Sequence, residues 1–375
     1  MSREILRINP REEQSPLALL VRDSRTNRLL ELLANQLRAL REAAASNTVP
    51  PTLTLQRTEL DYCRDQWLTG VLNGEHRLYD LATLMTWRLT GTHRLQLVAR
   101  VTVGPKEEEE SADAKRIVLE EPITRDNLKR VTDYSLSHRI ARHYLYRSAY
   151  DAPFGKLYAR ASFLELRPLE MTEEAHATRV LTRVKANEQI WNKVCDALFD
   201  IDSLVQRDKI LNKRSKYVKD VFGIKILTPH RSDSYRVNEA LMGVAFDHSD
   251  VERLGNGVAA LADSSLELLE HKDYLSLPAD QKKRTGWEAL KNVYRWGGHI
   301  FEVQIQTEAN YFLEALHLTD TSHRTFEMQR RRTRREFETV VPHYKEMRTV
   351  LKYLFRSAAD NHALTPPSWL RIVGD

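Results

Sequence analysis

Apolar positions along the chain follow two periods, and the switches between them mark out its elements. Leu19, Leu20, Leu29, Leu30, Leu32, Leu33, Leu37 and Leu40 recur at near-helical spacing and predict a helix over 16–45. SNTVPPT, from residue 47, breaks it, and TLTL then reads as a short strand. Residues 60–90 read as mostly helical. RLQLVARVTV (94–103) alternates as a strand does, GPKEEEESADAK (104–115) is a polar, acidic loop, and RIVLEEP returns as a second strand, which predicts a hairpin with a long loop. Residues 124–148 read as helix and KLYARASFLELRP (156–168) as strand. The first half is therefore a mixed α and β unit, and it shows no internal repeat.

After Pro168 the pattern changes. ATRVLTRVK (177–185) is strand-like, and NEQIWNKVCDALF (187–199) is a helix with Ile190, Val194, Ala197 and Leu198 on one side. DVFGIKIL (220–227) is an apolar strand. SDSYRVNEALMG (232–243) reads as a helix with Ser232 as its N-cap and Gly243 as its stop. Residues 247–264 read as a variable loop. GWEALKNVYRW, a turn at Gly297-Gly298 and HIFEVQIQT predict a strand–turn–strand pair, and 308 to about 358 reads as helix. The expected fold is α+β: a mixed sheet flanked by helices, preceded by a separate N-terminal unit. The expected domains are 1–170, 175–335 and a helical extension over 336–375, with the boundary between 165 and 178.

Length agrees with two domains, and 42% hydrophobic residues suffice for real cores. No apolar run is long enough for a membrane helix, and MSREILRINPREEQ has no signal-like stretch. Two cysteines, Cys63 and Cys195, give no disulfide framework and no metal cluster. The expectation is a soluble cytoplasmic protein. Net charge is +5, and its distribution says more than its size: RTFEMQRRRTRR (324–335) sets Arg330, Arg331, Arg332, Arg334 and Arg335 close together. Such a block attracts phosphate-rich partners, or else is a solvated helix face paired with Glu336 and Glu338.

Three pieces carry candidate chemistry. Arg183 and Lys185 share a strand face, and the helix that follows carries Lys193; basic groups beside a helix start suit an anion, or are simply solvated. Asp220 stands at the entrance of a buried strand, where a divalent metal, a lysine or a capping role would satisfy it. Lys283, Gly286, Trp287 and Lys291 precede FEVQIQT, whose Phe301, Val303 and Ile305 face a core while Glu302, Gln304 and Gln306 form a polar stripe. That stripe is either plain surface or the floor of a site, and Trp287 is either a core aromatic or a stacking platform.

Taken in order, these pieces resemble the synthetase domain of RelA/SpoT-family nucleotide pyrophosphokinases. RVKANEQIWNK resembles the family's Arg-x-Lys and lysine-bearing helix, and DVFGIK its Asp-x-x-Gly-Ile-Arg strand. SDSYRV supplies a tyrosine, Tyr235, and KRTGW and EVQIQT resemble Lys-x-x-Gly-Tyr and Glu-x-Gln-Ile-Arg-Thr. Glu314 and His317 resemble a later segment, so the likeness covers about 175–330.

The resemblance implies a Mg²⁺-dependent transfer of the β,γ-pyrophosphate of ATP to a ribose 3′-hydroxyl, giving a (p)ppGpp-type alarmone as in the stringent response. Arg183, Lys185 and Lys193 would grip ATP phosphates. Asp220 and Glu302 would hold metal, and Glu302 would orient or deprotonate the hydroxyl. Trp287, Lys283, Lys291, Gln304 and Tyr235 would serve the acceptor. Four positions depart from the family: Trp287 for Tyr, Lys291 for His, Gln306 for Arg and Lys225 for Arg. They leave the acceptor open between GDP or GTP, adenosine nucleotides and the 3′ end of tRNA, the last served by the arginine block. They also motivate the rival reading of a degenerate fold that only binds nucleotide or RNA. A third reading takes the stripe as mere surface. No His-Asp hydrolase signature appears in the first 170 residues. The N-terminal unit is expected to bind a regulatory partner or a second copy of the chain.

Overall fold

The computed structural model describes residues 23–104, 117–124, 158–173, 175–185, 187–199, 218–255, 265–278, 287–317, 332, 334–354 and 365–374. Helix α1 (Ser24–Ser46) starts where the Asp23 carboxylate accepts the Thr26 N–H at 2.7 Å, and ends at Asn47 in the left-handed region (φ 53°). Its leucine stripe, Leu29, Leu30, Leu33, Leu37 and Leu40, is buried. Strand β1 (Leu53–Gln56) leads into the 34-residue helix α2 (Arg57–Thr90). Strands β2 (Leu95–Gly104) and β3 (Ile117–Ile123) pair antiparallel, as the expected hairpin. The acidic loop between them and the helix expected over 124–148 lie outside the described residues.

Strand β4 (Tyr158–Pro168) is followed by β5 (Arg179–Val184), α3 (Asn187–Leu198), β6 (Phe222–Thr228), α4 (Arg231–Leu241) and α5 (His248–Arg253). Then come β7 (Glu267–Asp273), β8 (Leu290–Trp296), β9 (His299–Thr307), α6 (Glu308–His317), α7 (Tyr344–Leu354) and β10 (Leu370–Val373). Among the described residues, eight strands form one mixed sheet in the order β3-β2-β4-β5-β6-β9-β8-β7, in which β6 and β9 run parallel. The fold is thus α+β, a mixed sheet flanked by helices.

Segment 165–178, where the sequence places its boundary, is the end of β4 and the turn into β5. Leu164 pairs with Thr182 and Leu166 with Val180, so the sheet runs on through it. β4 covers the backbone edge that β5 would otherwise expose. The core is shared in the same way. Helix α2 packs on β4, β5, β6 and β9, and at Gly74 an added Cβ would lie 2.2 Å from the Phe222 ring.

Some local expectations change. Helix α4 begins at Arg231 with His230 at its N-cap, so Ser232 falls inside the first turn; the His230 side chain makes no capping hydrogen bond among the described residues. Strand β7 and helix α5 occupy chain that the sequence leaves as loop or unassigned. The C-terminal segment ends in β10, which pairs parallel to β1 with Leu53 opposite Leu370. That pairing joins residues more than three hundred apart, which no local period can signal.

Candidate active site

Alternation sorts the sheet into two faces. Phe222, Ile224 and Ile226 of β6 and Phe301, Val303 and Ile305 of β9 lie on the helix-covered side and are buried. The opposite face carries Arg183, Gly223, Lys225, Glu302, Gln304 and Lys291, fixed by register: Arg183 opposite Gly223, Gly223 opposite Glu302, and Gln304 between Lys225 and Lys291. Gly223 therefore leaves space above the rung between Arg183 and Glu302. The stripe of β9 is no solvent-facing surface, because Glu302 is 8% and Gln306 0% exposed.

Two carboxylates organise this face. Asp220 stands just before β6. Lys185, just after β5, donates from Nζ to Asp220 Oδ2 at 2.6 Å, and Lys193 on the second turn of α3 donates to the same oxygen. The Lys185 backbone N–H donates to Val221 O at 2.8 Å, which holds the two strand ends together. Asp220 Oδ1 is buried and accepts no hydrogen bond among the described residues. On β9, Glu302 Oε2 lies 2.5 Å from Lys291 Nζ, and Glu302 Oε1 accepts from Gln304 Nε2 at 2.8 Å.

The electrostatics couple the two. Burial alone would raise the Asp220 carboxyl; the ammonium groups of Lys193 and Lys185 overturn that and hold it far below the usual range. Burial, then the neighbouring Lys193 charge, pull Lys185 down to about 8 despite Asp220. For Lys291 burial works the same way, but Glu302, with a further contribution from Asp220, raises it above the ordinary lysine value. Asp220 and Glu302 thus act on a common lysine. With Lys185, Lys193 and Lys291 charged, three ammonium groups meet two carboxylates.

The other expected residues are placed as follows. Lys225 sits 5.2 Å over the Tyr311 ring of α6. Trp287 precedes β8 and meets the Tyr274 ring edge-on at 5.3 Å, so one aromatic braces the other. Tyr235 donates to Asp273 Oδ2 at 3.1 Å, at the end of β7, and is not among the groups touching Asp220 or Glu302. Lys283, Arg330 and Arg331 lie outside the described residues, as do the side chains of Glu314 and His317. Arg332, with its side chain 83% exposed, pairs with Glu336 at 2.9 Å, while Glu338 pairs with Arg348 at 2.7 Å.

Sequence reasoning misses a neighbouring trio. Lys219 Nζ lies 2.6 Å from Glu270 Oε2, and Lys272 Nζ 2.5 Å from Glu270 Oε1. By register Glu270 and Lys272 share the face of Lys291. The period-two spacing of Glu270 and Lys272 in ELLEHKD is the signal that would have found them.

Among the described residues no three His, Cys, Asp or Glu side chains form a metal cluster, and no helix is long and apolar enough to cross a membrane. No protein-family model matches the chain, and no curated protein matches it. Among solved structures, the small alarmone synthetase 1 from Bacillus subtilis is similar over 47% of this chain and 78% of that chain, at 16% identity and a TM-score of 0.23.

Proposed function

We propose that the protein is an ATP-dependent pyrophosphokinase that transfers the β,γ-pyrophosphate of ATP to the ribose 3′-hydroxyl of a purine nucleotide, with GDP or GTP the first choice of acceptor. One observation carries the reading. Residues from four separated motifs, Lys185 and Lys193, Asp220, Lys291, and Glu302 with Gln304, converge on one sheet face as two carboxylates coupled through lysines.

The residues fit a magnesium ion. The buried Asp220 Oδ1, which accepts no hydrogen bond among the described residues, is a hard oxygen donor left over for a cation, and Mg²⁺ is characteristically held by one or two carboxylates plus substrate phosphates. Asp220 and Glu302 would hold it, and it would supply charge neutralisation on the transferring phosphates.

Everything else falls to the chain's own side chains. Arg183, Lys185 and Lys193 bind the triphosphate; as the two lysines turn to phosphate oxygens, Asp220 is released from them. Lys291 moves onto the acceptor's phosphate, which frees Glu302 Oε2 to accept the proton of the attacking hydroxyl. Gln304 keeps the Glu302 carboxylate oriented, and Trp287, braced by Tyr274, stacks on the acceptor base.

A second reading, nucleotide binding without transfer, has its own observation. Lys291 stands where the family has histidine, and it occupies the base oxygen of Glu302. The exposed arginines Arg332 and Arg335 favour tRNA among the alternative acceptors. The test offers γ-labelled ATP and Mg²⁺ with GDP, GTP, ADP, ATP or deacylated tRNA, with Glu302→Gln alongside. Label in one acceptor, lost in the variant, is expected. Nucleotide binding with no labelled product from any acceptor would establish the second reading instead.

A further inference from the structure

The polar face continues past the candidate active site onto β5 and β4, where it carries a second charged cluster. Glu165 of β4 is fully buried (0% exposed). It accepts from Arg167 Nε at 2.9 Å and Nη2 at 3.0 Å, from Arg100 Nη1 at 3.2 Å and from Arg179 Nη1 at 3.2 Å. Glu120 adds contacts to Arg100 at 2.8 Å and Arg167 at 3.5 Å, and Glu308 one to Arg179 at 3.3 Å. Arg167, Pro168, Thr178 and Arg179 line an open cleft of about 360 Å³.

One buried carboxylate is satisfied by one bidentate arginine, and Arg167 already reaches both oxygens of Glu165. Arg100 and Arg179 are in excess of that need, and three guanidiniums around one carboxylate repel each other. The charges that balance them are Glu120 and Glu308, whose side chains are 40% and 30% exposed. Such half-exposed pairs are weak and exchangeable, whereas Glu165 is fixed. Among the described residues, Arg167 Nη1 and Arg179 Nε make no hydrogen bond. Two pinned guanidinium forks with unspent donors match the tetrahedral oxygens of a phosphate, and the Thr178 hydroxyl, which donates to Glu308 Oε1 at 2.7 Å, can turn to the same ligand once Glu308 is displaced. The volume suits a small ligand rather than a bare ion.

We propose that this cleft is a second anion site, which takes the phosphate group of a phosphorylated small molecule up to mononucleotide size. The incoming phosphate displaces Glu308 and Glu120 from the arginines, while Glu165 holds the guanidiniums in place. The site is separate from the first: Arg179 and Arg183 share a strand face four residues apart, about 13 Å at ~3.3 Å per residue. Its occupant does not need the transfer chemistry.

The test is calorimetric titration of the intact chain with inorganic pyrophosphate. Three variants accompany it: Thr178→Trp, which fills the cleft and leaves the arginine–Glu165 contacts in place; Arg179→Lys, which keeps the charge and loses the fork; and Arg183→Gln with Lys185→Gln, which empties the candidate active site. The wild type is expected to bind two equivalents. Thr178→Trp is expected to lose one with its melting temperature held, Arg179→Lys to weaken one about tenfold, and the Arg183/Lys185 variant to lose the other. One equivalent, lost only in the Arg183/Lys185 variant, would overturn the second site and leave the proposed function standing. One equivalent, lost only in Thr178→Trp, would do the reverse. If a 5′-mononucleotide fails to compete for the Thr178-sensitive equivalent, the stated ligand class is wrong.

Discussion

Lys185 is held in its charged form against the preference of its surroundings, and Lys185→Met exposes that tension. Its side chain is 13% exposed. Burial and Lys193 bring it from the ordinary 10.5 to about 8, even with the Asp220 carboxylate 2.6 Å away. Because the folded value lies below the unfolded one, the native state holds fewer protons between pH 8 and 10.5. Stability from this group is therefore lowest below pH 8 and recovers as pH rises towards 10.5. A fall of about 2.5 at about 1.4 kcal/mol each sets the cost of the charge at roughly 3–4 kcal/mol at pH 7. Methionine is one atom shorter, keeps most of the apolar stem and removes the charge, while Lys193 still pairs with Asp220. The variant is thus expected to be more stable than wild type at pH 7, by about 1–3 kcal/mol in urea unfolding, with the gap closing by pH 10.5. It is also expected to bind ATP at least tenfold more weakly, since a positioned charge has been traded for stability. A variant less stable than wild type at pH 7, or a gap that does not change with pH, would refute the argument.

Three further perturbations test other parts of the account. Gly74→Ala drives a methyl into the buried Phe222 ring and is expected to cost about 1–3 kcal/mol, read as a lower melting temperature; an unchanged melt would show that the α2–β6 contact can give way. Burial raises the Glu270 carboxyl, but Lys219 and Lys272 outweigh it and bring it to about 2. Its contribution is present above pH 4.5 and lost as pH falls towards 2, so Glu270→Gln should flatten stability across that window, and an acid titration as steep as wild type would contradict this. Trp287→Ala should raise the acceptor KM at least tenfold while Trp287→Tyr stays near wild type; equal effects from both would remove the stacking role.

Strict alternation made β9 legible. Phe301, Val303 and Ile305 are buried as the period requires, and the polar positions between them line the candidate site. The apolar run after Asp220 likewise marked β6. What the sequence left hidden was non-local. The joining of β4 to β5 through Leu164 and Leu166 depends on which free edge a strand finds, and the β1–β10 pairing closes the whole chain on itself. Asp220 is recognisable in the sequence as a charge at the entrance of a buried strand that needs a partner, and lysine is one of the groups that would satisfy it. That two lysines share one of its oxygens, while the other accepts nothing among the described residues, depends on the α3 turn that carries Lys193. Tyr235 sits in a motif position and yet bonds Asp273, because helix α4 packs through Asn238 against Asn292 on the far side of β8.

The central claim is that the Asp220–Glu302 face moves a pyrophosphoryl group as one unit. ATP labelled separately at its β and γ phosphates, incubated with the acceptor that takes label, decides it. The account predicts that both labels reach the acceptor together, with AMP released one for one, and that Asp220→Asn and Glu302→Gln abolish both while remaining folded. Transfer of the γ label alone with ADP as co-product, or full transfer by either variant, would contradict it.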